Sequence, residues 1–393
     1  MKKYVFLGIF LSLTLVFSSV FLSASAKDNN GGRKIVVYRH NVNDVSKDES
    51  EASVGGIKFK KLDLINARVV WLSDKAAVEK LKANPDVLRI DDDVEVFALA
   101  RKNDQTGSVQ AQVTPWGIDK IDAEMVWPIG NNADTIKVGI IDTGISKDHP
   151  DLKANIKGGI NTIRPQKSWN DDNGHGSHVA GIVAGLNNTN GVVGAAPLAD
   201  LYAIKVLNAN GSGYLSDVIE GIQWAAANNM QIVNMSLGTG SNVQSMHNAV
   251  IAAKNAGVVI VAAAGNSGGS VLYPAAYPEV IAVSATNQNN QLAWFSSYGP
   301  EVDLAAPGVS IYSTYKGSGY ATLSGTSMAA PHVAGAAALV LNTPVGANDV
   351  NSNGNWDPDE VQTKLQNTST DLGTIGFDNL FGHGLVNAYN AAQ

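Results

Sequence analysis

From Trp116 onward, long apolar segments alternate with segments rich in alanine and glycine. The apolar segments are nearly continuous, which is typical of strands buried on both faces of a parallel sheet. Strands that alternate with helices indicate βαβ units. We therefore predict an α/β fold, a three-layer, doubly wound and mainly parallel sheet with helices on both faces. The predicted elements are five strands, Ile136–Ile141, Leu201–Leu207, Ile232–Met235, Val258–Ala264 and Val280–Ala285, and two helices, Asp217–Asn228 and Ser245–Ala256.

The preceding region, residues 27–110, is richer in charged residues. Its pattern predicts a small open α+β sandwich, followed by a polar linker over residues 101–110. A loop is expected between the first two strands. The predicted elements are the strands Lys34–Tyr38, Ile57–Leu62, Ala67–Leu72 and Val87–Phe97 and the helix Asp74–Ala83.

The first 26 residues have the pattern of a secretory signal peptide. Lys2 and Lys3 precede an apolar run, and the small residues Ala24, Ser25 and Ala26 favour cleavage after Ala26. An uncleaved membrane anchor is the alternative. No other stretch is long and apolar enough to span a bilayer. We therefore expect a secreted, extracellular protein without stable membrane association after cleavage.

Composition excludes several classes of function. Hydrophobic residues make up 45% of the chain and charged residues 16%, so a large core is expected rather than global disorder. The formal net charge of -7 argues against nucleic acid as a main partner. The chain has no cysteine, which excludes disulfides, cysteine nucleophiles and thiolate metal sites.

Four polar residues lie at strand ends or helix starts, where open α/β sheets bind their ligands. Asp142 ends the first predicted strand, Asn266 follows the fourth, and His175 and Ser327 each begin a helix of small residues. Each has an ordinary alternative, because aspartate and asparagine are common in turns and serine is a common helix cap. His175 and His178 could also bind a metal from one helix face. Neither has the neighbouring glutamate of a zinc protease helix, so we interpret His178 as structural.

Together the four residues predict acyl transfer by a serine nucleophile. A serine hydroxyl needs a base, and the imidazole needs an orienting carboxylate. At a helix N-terminus, the Ser327 N–H is free to bind an oxyanion, and the Asn266 amide adds a second donor. Pro331 is expected in the first turn of the same helix, where its missing N–H costs little.

Three segments resemble the motifs of the subtilase family very closely. They are Asp-Thr-Gly-Ile at 142–145, Gly-His-Gly-Ser-His-Val-Ala-Gly at 174–181 and Gly-Thr-Ser-Met-Ala-Ala-Pro-His at 325–332. The similarity covers about residues 111–393 and is to the true subtilisins, with Ser177 where threonine is usual. It implies a serine endopeptidase that acts through an acyl-enzyme, with Ser327 as nucleophile, His175 as base and Asp142 orienting the imidazole. Asn266 and the Ser327 N–H would bind the oxyanion.

The resemblance also implies that an extended peptide pairs with two backbone edges, which gives broad specificity. Leu272 stands where a small residue is usual at the base of the primary pocket. This predicts a shallower pocket that prefers medium apolar side chains. The implied substrate-binding residues are Gly211, Ser212, Gly213, Ser236, Leu237 and Gly238 at the edges and Gly238, Gly265 and Leu272 at the pocket.

Residues 27–110 resemble the family's propeptide, an inhibitor-like domain with a ferredoxin-like α+β fold. This implies a self-processing zymogen whose propeptide assists folding of a high-contact-order sheet and inhibits the enzyme. The predicted cut follows Gln110, because Ala111 and Gln112 resemble the start of mature family members. The predicted parts are thus a signal peptide at 1–26, a propeptide at 27–110 and a peptidase domain at 111–393, which we expect to be a monomer.

Structural Ca²⁺ is the implied cofactor, at up to three sites built from oxygen ligands. The first two sites rest on the resemblance. The third is a segment with the EF-hand spacing, for which an Asn/Gly-rich surface loop is the alternative. The candidate ligands are Gln112, Asp151, Leu186, Asn188, Asn190 and Val192 for the first site, Ala275, Tyr277, Val280, Glu301 and Asp303 for the second, and Asp349, Asn351, Asn353, Asn355 and Glu360 for the third.

Two other functions remain as alternatives. A non-catalytic subtilisin-like binding module predicts a substituted triad position, and no position is substituted. A related esterase does not need the peptide-binding edges or the propeptide.

Overall fold

The computed structural model describes residues 31–107 and 111–393, with the backbone alone for residues 101–107. The predicted signal peptide therefore lies outside the described residues. None of the helices within the described ranges is long and apolar enough to cross a membrane.

Residues 32–92 form a four-stranded antiparallel sheet and two helices. The bounds are β1 Gly32–Tyr38, α1 Asp44–Ala52, β2 Ile57–Leu62, β3 Ala67–Leu72, α2 Lys75–Lys82 and β4 Val87–Asp92, with a 3-10 turn at Asp63–Ile65. The strand order is β2-β3-β1-β4. The prediction of a loop between the first two strands was wrong, because this segment contains α1. The predicted strand Val87–Phe97 was also wrong as one element, because β4 ends at Asp92.

Helix α1 was missed because its buried face is polar. Lys47, Ser50 and Glu51 are buried, and Glu51 lies 3.5 Å from the guanidinium of Arg68, which projects from β3. Asn43 caps the helix by accepting a hydrogen bond from the Ser46 N–H at 2.9 Å. The helix thus packs through charged and polar groups, and an apolar stripe is absent from its sequence.

The remaining strands and helices belong to the larger unit or contact it. Strand β5 (Glu95–Ala98) and strand β6 (Arg101–Gly107) precede it along the chain, and β6 corrects the prediction of a linker there. The other elements are α3 Trp116–Lys120, β7 Lys137–Asp142, β8 Ile156–Asn161, α4 His175–Ala184, β9 Asp200–Lys205, β10 Ser212–Tyr214, α5 Leu215–Ala227, β11 Ile232–Met235, β12 Leu237–Gly238, α6 Gln244–Asn255, β13 Val259–Ala263, β14 Ile281–Thr286, β15 Leu304–Pro307, β16 Ile311–Thr314, β17 Tyr320–Ser324, α7 Thr326–Leu341, α8 Pro358–Asn367 and α9 Ala388–Ala391, with 3-10 turns at Ala123–Met125, Trp127–Ile129 and Gly346–Asn348.

A seven-stranded sheet of order β15-β14-β13-β11-β7-β9-β8 forms the centre, and all its neighbouring strands are parallel. The predicted α/β fold is confirmed, and all five predicted strands are present. The edge strands β8 and β15 were missed because neither contains the long apolar run expected of a central strand. Helices α4 and α7 pack against one face, while α5 and α6 cover the other.

The small N-terminal sheet packs against α5 and α6 through alternate residues of its strands. Ile35 and Val69 belong to the same buried cluster as residues of these helices, whereas Val36 and Val70 belong to a separate cluster with α2. This contact places the segment after β4 over the carboxyl ends of the parallel strands, where the candidate catalytic residues lie.

Candidate active site

Asp142 and His175 are in direct contact. Asp142 ends β7, and His175 is the first residue of α4. His175 Nδ1 lies 2.8 and 2.9 Å from the two carboxylate oxygens of Asp142, and both side chains are buried. Oδ1 also accepts the Thr143 N–H at 2.6 Å. The carboxylate therefore fixes Nδ1 as the donor and leaves Nε2 as the basic nitrogen, and Nε2 has no hydrogen-bond partner within the described residues.

Ser327 lies in the first turn of α7, on the same side of the sheet. Its Oγ donates to the carbonyl oxygen of Ser236 at 2.9 Å, so a hydrogen bond to His175 is not formed in this rotamer. Both residues nevertheless border the same piece of chain. The Ser327 N–H points to the carbonyl oxygen of Leu99 at 3.4 Å, and His175 lines a cavity of about 230 Å³ together with Ala98 and Ala100.

Asn266 provides a second donor to that carbonyl group. Its Nδ2 donates to the Leu99 oxygen at 2.6 Å. Its Oδ1 accepts from the backbone N–H and the hydroxyl of Thr326, at 2.9 and 3.0 Å, which holds the amide with its nitrogen towards Leu99. A Cβ on Gly325 would lie 2.4 Å from the Leu99 oxygen, so only glycine lets this carbonyl group approach. The roles of Thr326 and Gly325 were not predicted from the sequence.

Pro331 lies deeper in α7 than predicted. The helix begins at Thr326, so Pro331 is in its second turn, and the prediction of a first-turn position was wrong. Because proline has no N–H, the Ser327 carbonyl group lacks its helical donor. The Ser236 hydroxyl donates to this carbonyl group instead, at 2.8 Å.

The two predicted substrate edges flank a segment of the chain itself. Strand β5 runs between β10 and β12 and is antiparallel to both. The Ala98 N–H donates to the Gly211 carbonyl at 2.9 Å, and the Leu99 N–H donates to the Ser236 carbonyl at 3.2 Å. An extended peptide is therefore held by main-chain hydrogen bonds on both sides, ending in the carbonyl group between Asn266 and Ser327.

The three residues predicted for the primary pocket lie together beside Leu99. A Cβ on Gly238 would lie 3.2 Å from Leu99 Cδ1 and 3.3 Å from Leu272 Cβ, and a Cβ on Gly265 would lie 2.9 Å from Leu272 Cγ. The Leu99 side chain and Leu272 thus both lie against Gly238, and Gly265 lies against Leu272.

Comparison with known proteins decides the family. A model described as the subtilase family matches residues 133–384. The chain belongs to the subtilase family. It is 39% identical over an alignment of 405 residues to "Subtilisin E" of Bacillus subtilis (strain 168), which covers 100% of both chains. It is 46% identical over 317 residues to an "Alkaline protease" of Shouchella clausii (80% of this chain and 77% of the relative), and 49% identical over 284 residues to "Subtilisin Savinase" of Lederbergia lenta (72% and 100%).

In this subtilase, Asp171 organises the histidine loop, a role that the sequence did not reveal. Its Oδ1 accepts from the Thr143 hydroxyl and the Gly174 N–H, both at 2.9 Å, and its Oδ2 accepts from the Ser177 hydroxyl at 2.6 Å. The carboxylate therefore ties the end of β7 to the start of α4. The available signal was an acid four residues before a glycine-flanked histidine.

His178 is buried about one helical turn after His175. Its Nε2 lies 3.1 and 3.0 Å from the carbonyl oxygens of Ile311 and Ala321, on strands β16 and β17. Burial lowers the pKa of His178 to about 3, so the ring is neutral at ordinary pH. These contacts support the interpretation of His178 as structural, since Nε2 faces two carbonyl oxygens and the whole side chain is buried.

The first predicted calcium site is assembled around a buried aspartate. Asp151 accepts from Asn188 Nδ2 at 2.8 Å, from the Val192 N–H at 2.9 Å and from the Tyr320 hydroxyl at 2.9 Å. All three donors are neutral. Gln112 reaches the same loop, where its Nε2 donates to the Leu186 carbonyl at 2.8 Å. The Asn190 N–H donates to Asn188 Oδ1 at 2.6 Å. The predicted ligands thus lie in the loop 186–192 or contact it, and their oxygen chemistry fits Ca²⁺.

In the second predicted calcium site, both carboxylate oxygens of Asp303 already accept hydrogen bonds from the protein. Asp303 accepts from the Ala282 N–H at 2.8 Å and from the side-chain amides of Gln362 and Gln366 at 2.9 and 3.0 Å. Burial raises the pKa of Asp303 to about 6. These contacts give Asp303 a structural role between β14 and α8, and a cation at Ala275, Tyr277, Val280, Glu301 and Asp303 stays a prediction.

The third segment, residues 349–360, has some features of an EF-hand loop. Asp349 accepts from the N–H groups of Asn353 and Gly354, at 3.0 and 2.9 Å, and Gly354 takes a φ of 78° for a sharp turn. Glu360, however, caps α8 by accepting from the Asp357 N–H at 2.9 Å, and it also accepts from the Val350 N–H at 2.7 Å. Calcium binding here also stays a prediction. Within residues 31–107 and 111–393, no group of three or more His, Asp or Glu is placed to hold a metal ion.

Proposed function

We propose that this subtilase is a secreted serine endopeptidase in which Ser327 is the nucleophile, His175 the general base and acid, and Asp142 the residue that orients the imidazole. The observation that carries the proposal is the position of the Leu99 carbonyl group. It lies between the Asn266 amide and the Ser327 N–H, on a strand held by both peptide-binding edges. A peptide bond is thus presented to the nucleophile, which favours peptide cleavage over ester cleavage or binding alone.

Catalysis begins when Ser327 Oγ leaves the Ser236 carbonyl and gives its proton to His175 Nε2. Oγ then attacks the substrate carbonyl carbon, and the developing oxyanion moves towards Asn266 and the Ser327 N–H. His175 returns the proton to the leaving nitrogen, and water hydrolyses the acyl-enzyme. Because the edges bind main chain, the substrates are peptides and proteins of broad sequence.

A labelled fluorophosphonate and casein test this function together. We expect the label to bind covalently at Ser327, as located by peptide mass spectrometry, and casein to be hydrolysed. The label should be lost in Ser327→Ala. A binding module would take no label, and an esterase would take the label but leave casein intact.

Replacing Asn266 by alanine should lower kcat on the order of 10²–10³-fold with little change in KM, because one oxyanion donor is lost. A loss of this size is known for the corresponding asparagine of a subtilisin. Steady-state kinetics on a peptide anilide after complete processing measures it, with Asn289→Ala in an exposed turn as control. A rise in KM at constant kcat would contradict the role.

Replacing Leu272 by glycine should enlarge the primary pocket. We expect the ratio of kcat/KM for phenylalanine over leucine at the cleaved residue to rise roughly tenfold, since the pocket gains the space of an aliphatic side chain. Peptide anilides that differ only at this residue measure the ratio. Faster cleavage after phenylalanine than after leucine in the unmodified enzyme would contradict the shallow pocket.

We also propose that residues 1–26 direct secretion and that residues 27–110 are a propeptide absent from the mature monomer. The alignment with Subtilisin E over both whole chains supports this organisation. The occupation of the substrate edges by β5 supports inhibition by the propeptide, since a substrate cannot pair with edges that are already paired.

The first calcium site should contribute strongly to stability. When bound, the ion supplies positive charge that joins Asp151, the loop 186–192 and Gln112. At a calcium concentration about 1,000 times Kd, the ion would add about 4 kcal/mol, so we expect a chelator to lower Tm by about 10 °C. Calorimetry in the Ser327→Ala background avoids self-digestion. Asp151→Asn should remove most of the difference, and equal Tm values with calcium and chelator would disprove the site.

A further inference from the structure

The bond between Leu99 and Ala100 occupies the position of a bond about to be cut. The Leu99 carbonyl oxygen accepts from Asn266 Nδ2 at 2.6 Å and faces the Ser327 N–H at 3.4 Å. On the other side of the bond, a Cβ on Gly325 would lie 3.2 Å from Ala100 Cα, and Ala100 lines the same cavity as His175. The carbonyl side of this peptide bond thus contacts Asn266 and Ser327, and its Ala100 side borders the same cavity as His175.

The residues before this bond bind as a substrate would. Strand β5 pairs with both edges, and Val96 is fully buried in a cluster that contains Leu215. The Leu99 side chain enters the pocket formed by Gly238 and Leu272. A medium apolar side chain therefore fills a pocket predicted to prefer one.

The residues that follow the Gln110–Ala111 bond are placed differently. Ala111 forms a β-bridge with Asn190, and the N–H groups of Gln112 and Val113 donate to the carbonyls of Thr189 and Gly191 at 3.1 and 2.9 Å. The loop 186–192 thus holds the residues after this bond, while the catalytic cleft is filled by β5 and Leu99. Between the two bonds, the backbone of β6 pairs antiparallel with β17, with Arg101 opposite Ser324.

We propose that the first self-cleavage breaks the Leu99–Ala100 bond, so that the peptidase domain first appears with Ala100 at its N-terminus and β6 still attached. The inference rests on the proposed function, because Ser327 must perform the cut. Its Oγ forms an ester with the Leu99 carbonyl carbon as the C–N bond breaks, and His175 delivers the proton to the Ala100 nitrogen. Water then releases the Leu99 carboxylate and restores the serine hydroxyl.

Removal of residues 100–110 is then a separate, later event. Because the 186–192 loop holds Ala111, another enzyme molecule must cut after Gln110. The first step is expected to follow first-order kinetics at a rate independent of protein concentration, and the second to speed up with concentration.

A refolding time course tests the order. The full chain is unfolded in denaturant, diluted over a tenfold concentration range, quenched in acid and mapped by N-terminal labelling and mass spectrometry. We expect Ala100 as the first new N-terminus inside the chain. Leu99→Asp should slow its appearance on the order of 100-fold, because an ionised side chain does not suit the apolar pocket. Gln110→Asp is the matched control and should leave the first step unchanged, as should the conservative Leu99→Met.

The possible results separate the two proposals. A first product that begins at Ala111, slowed by Gln110→Asp but not by Leu99→Asp, would overturn the inference while leaving an active endopeptidase. A full chain that is never cut and takes no fluorophosphonate label would overturn the proposed function and the inference with it. If Leu99→Asp fails to refold by circular dichroism, the first N-terminus of the unmodified chain and the Gln110→Asp rate still decide the question.

Discussion

Ser327→Ala is expected to lower kcat for peptide hydrolysis on the order of 10⁶-fold, a loss known for the triad serine of a subtilisin. The reason is that Ser327 Oγ is the nucleophile, so the variant cannot form an acyl-enzyme. Asn266 and the backbone N–H of residue 327 remain, but they only stabilise the oxyanion that the attack of Oγ would create. The fold of the unprocessed chain should survive, since the Ser236 carbonyl that loses the Ser327 hydroxyl keeps the Leu99 N–H as a donor there. The cost in unfolding free energy should be about 1 kcal/mol.

The Ser327→Ala variant cannot remove its own propeptide, and a retained propeptide would inhibit it. The propeptide must therefore be removed before kcat is measured. Immobilised wild-type enzyme can process the variant and then be removed before kcat is measured on a fluorogenic peptide. Ser318→Ala, in an exposed turn between β16 and β17, is the matched control and should retain full activity. A processed Ser327→Ala protein that keeps more than about a thousandth of the wild-type kcat would show that another group is the nucleophile.

The elements that could be predicted from the sequence are those whose own residues show the pattern of a buried strand or helix. The central strands β7, β9, β11, β13 and β14 are apolar runs buried by helices on both sides, so pattern and burial coincide. Asp142, His175 and Asn266 stand at strand ends or helix starts, where topology alone brings side chains to one edge of the sheet. The contact between Asp142 and His175 follows from their positions at that edge.

The elements that were missed depend on partners far along the chain. Helix α1 packs its polar face on Arg68, a residue of another strand, so its own sequence shows no apolar period. Strand β6 is polar and pairs through its backbone with β17, more than two hundred residues away, which composition cannot reveal. The position of Leu99 in the cleft also depends on distant residues. Its carbonyl group is held by the Ser327 N–H on α7 and the Asn266 amide after β13, and nothing in the segment 95–100 indicates these donors.

Asp142→Asn is expected to lower kcat/KM on the order of 10⁴-fold, by analogy with the corresponding change in another serine protease triad. The carboxylate accepts from His175 Nδ1 at 2.8 and 2.9 Å and so keeps the proton on that nitrogen. An amide –NH₂ group in its place would donate to Nδ1 and favour the tautomer with the proton on Nε2. That nitrogen could then no longer accept the proton of Ser327.

Asp142→Asn preserves shape and burial, so the loss should be chemical rather than structural. The measurement is kcat/KM after processing by immobilised wild-type enzyme, with Tm as a check on the fold. Asp148→Asn makes the same change of charge at an exposed position six residues along and should keep full activity. A Tm close to that of wild type together with less than a hundredfold loss would show that the imidazole keeps its tautomer without the carboxylate. The proposed triad would then reduce to a Ser327–His175 dyad held in place by Asp171 and the start of α4.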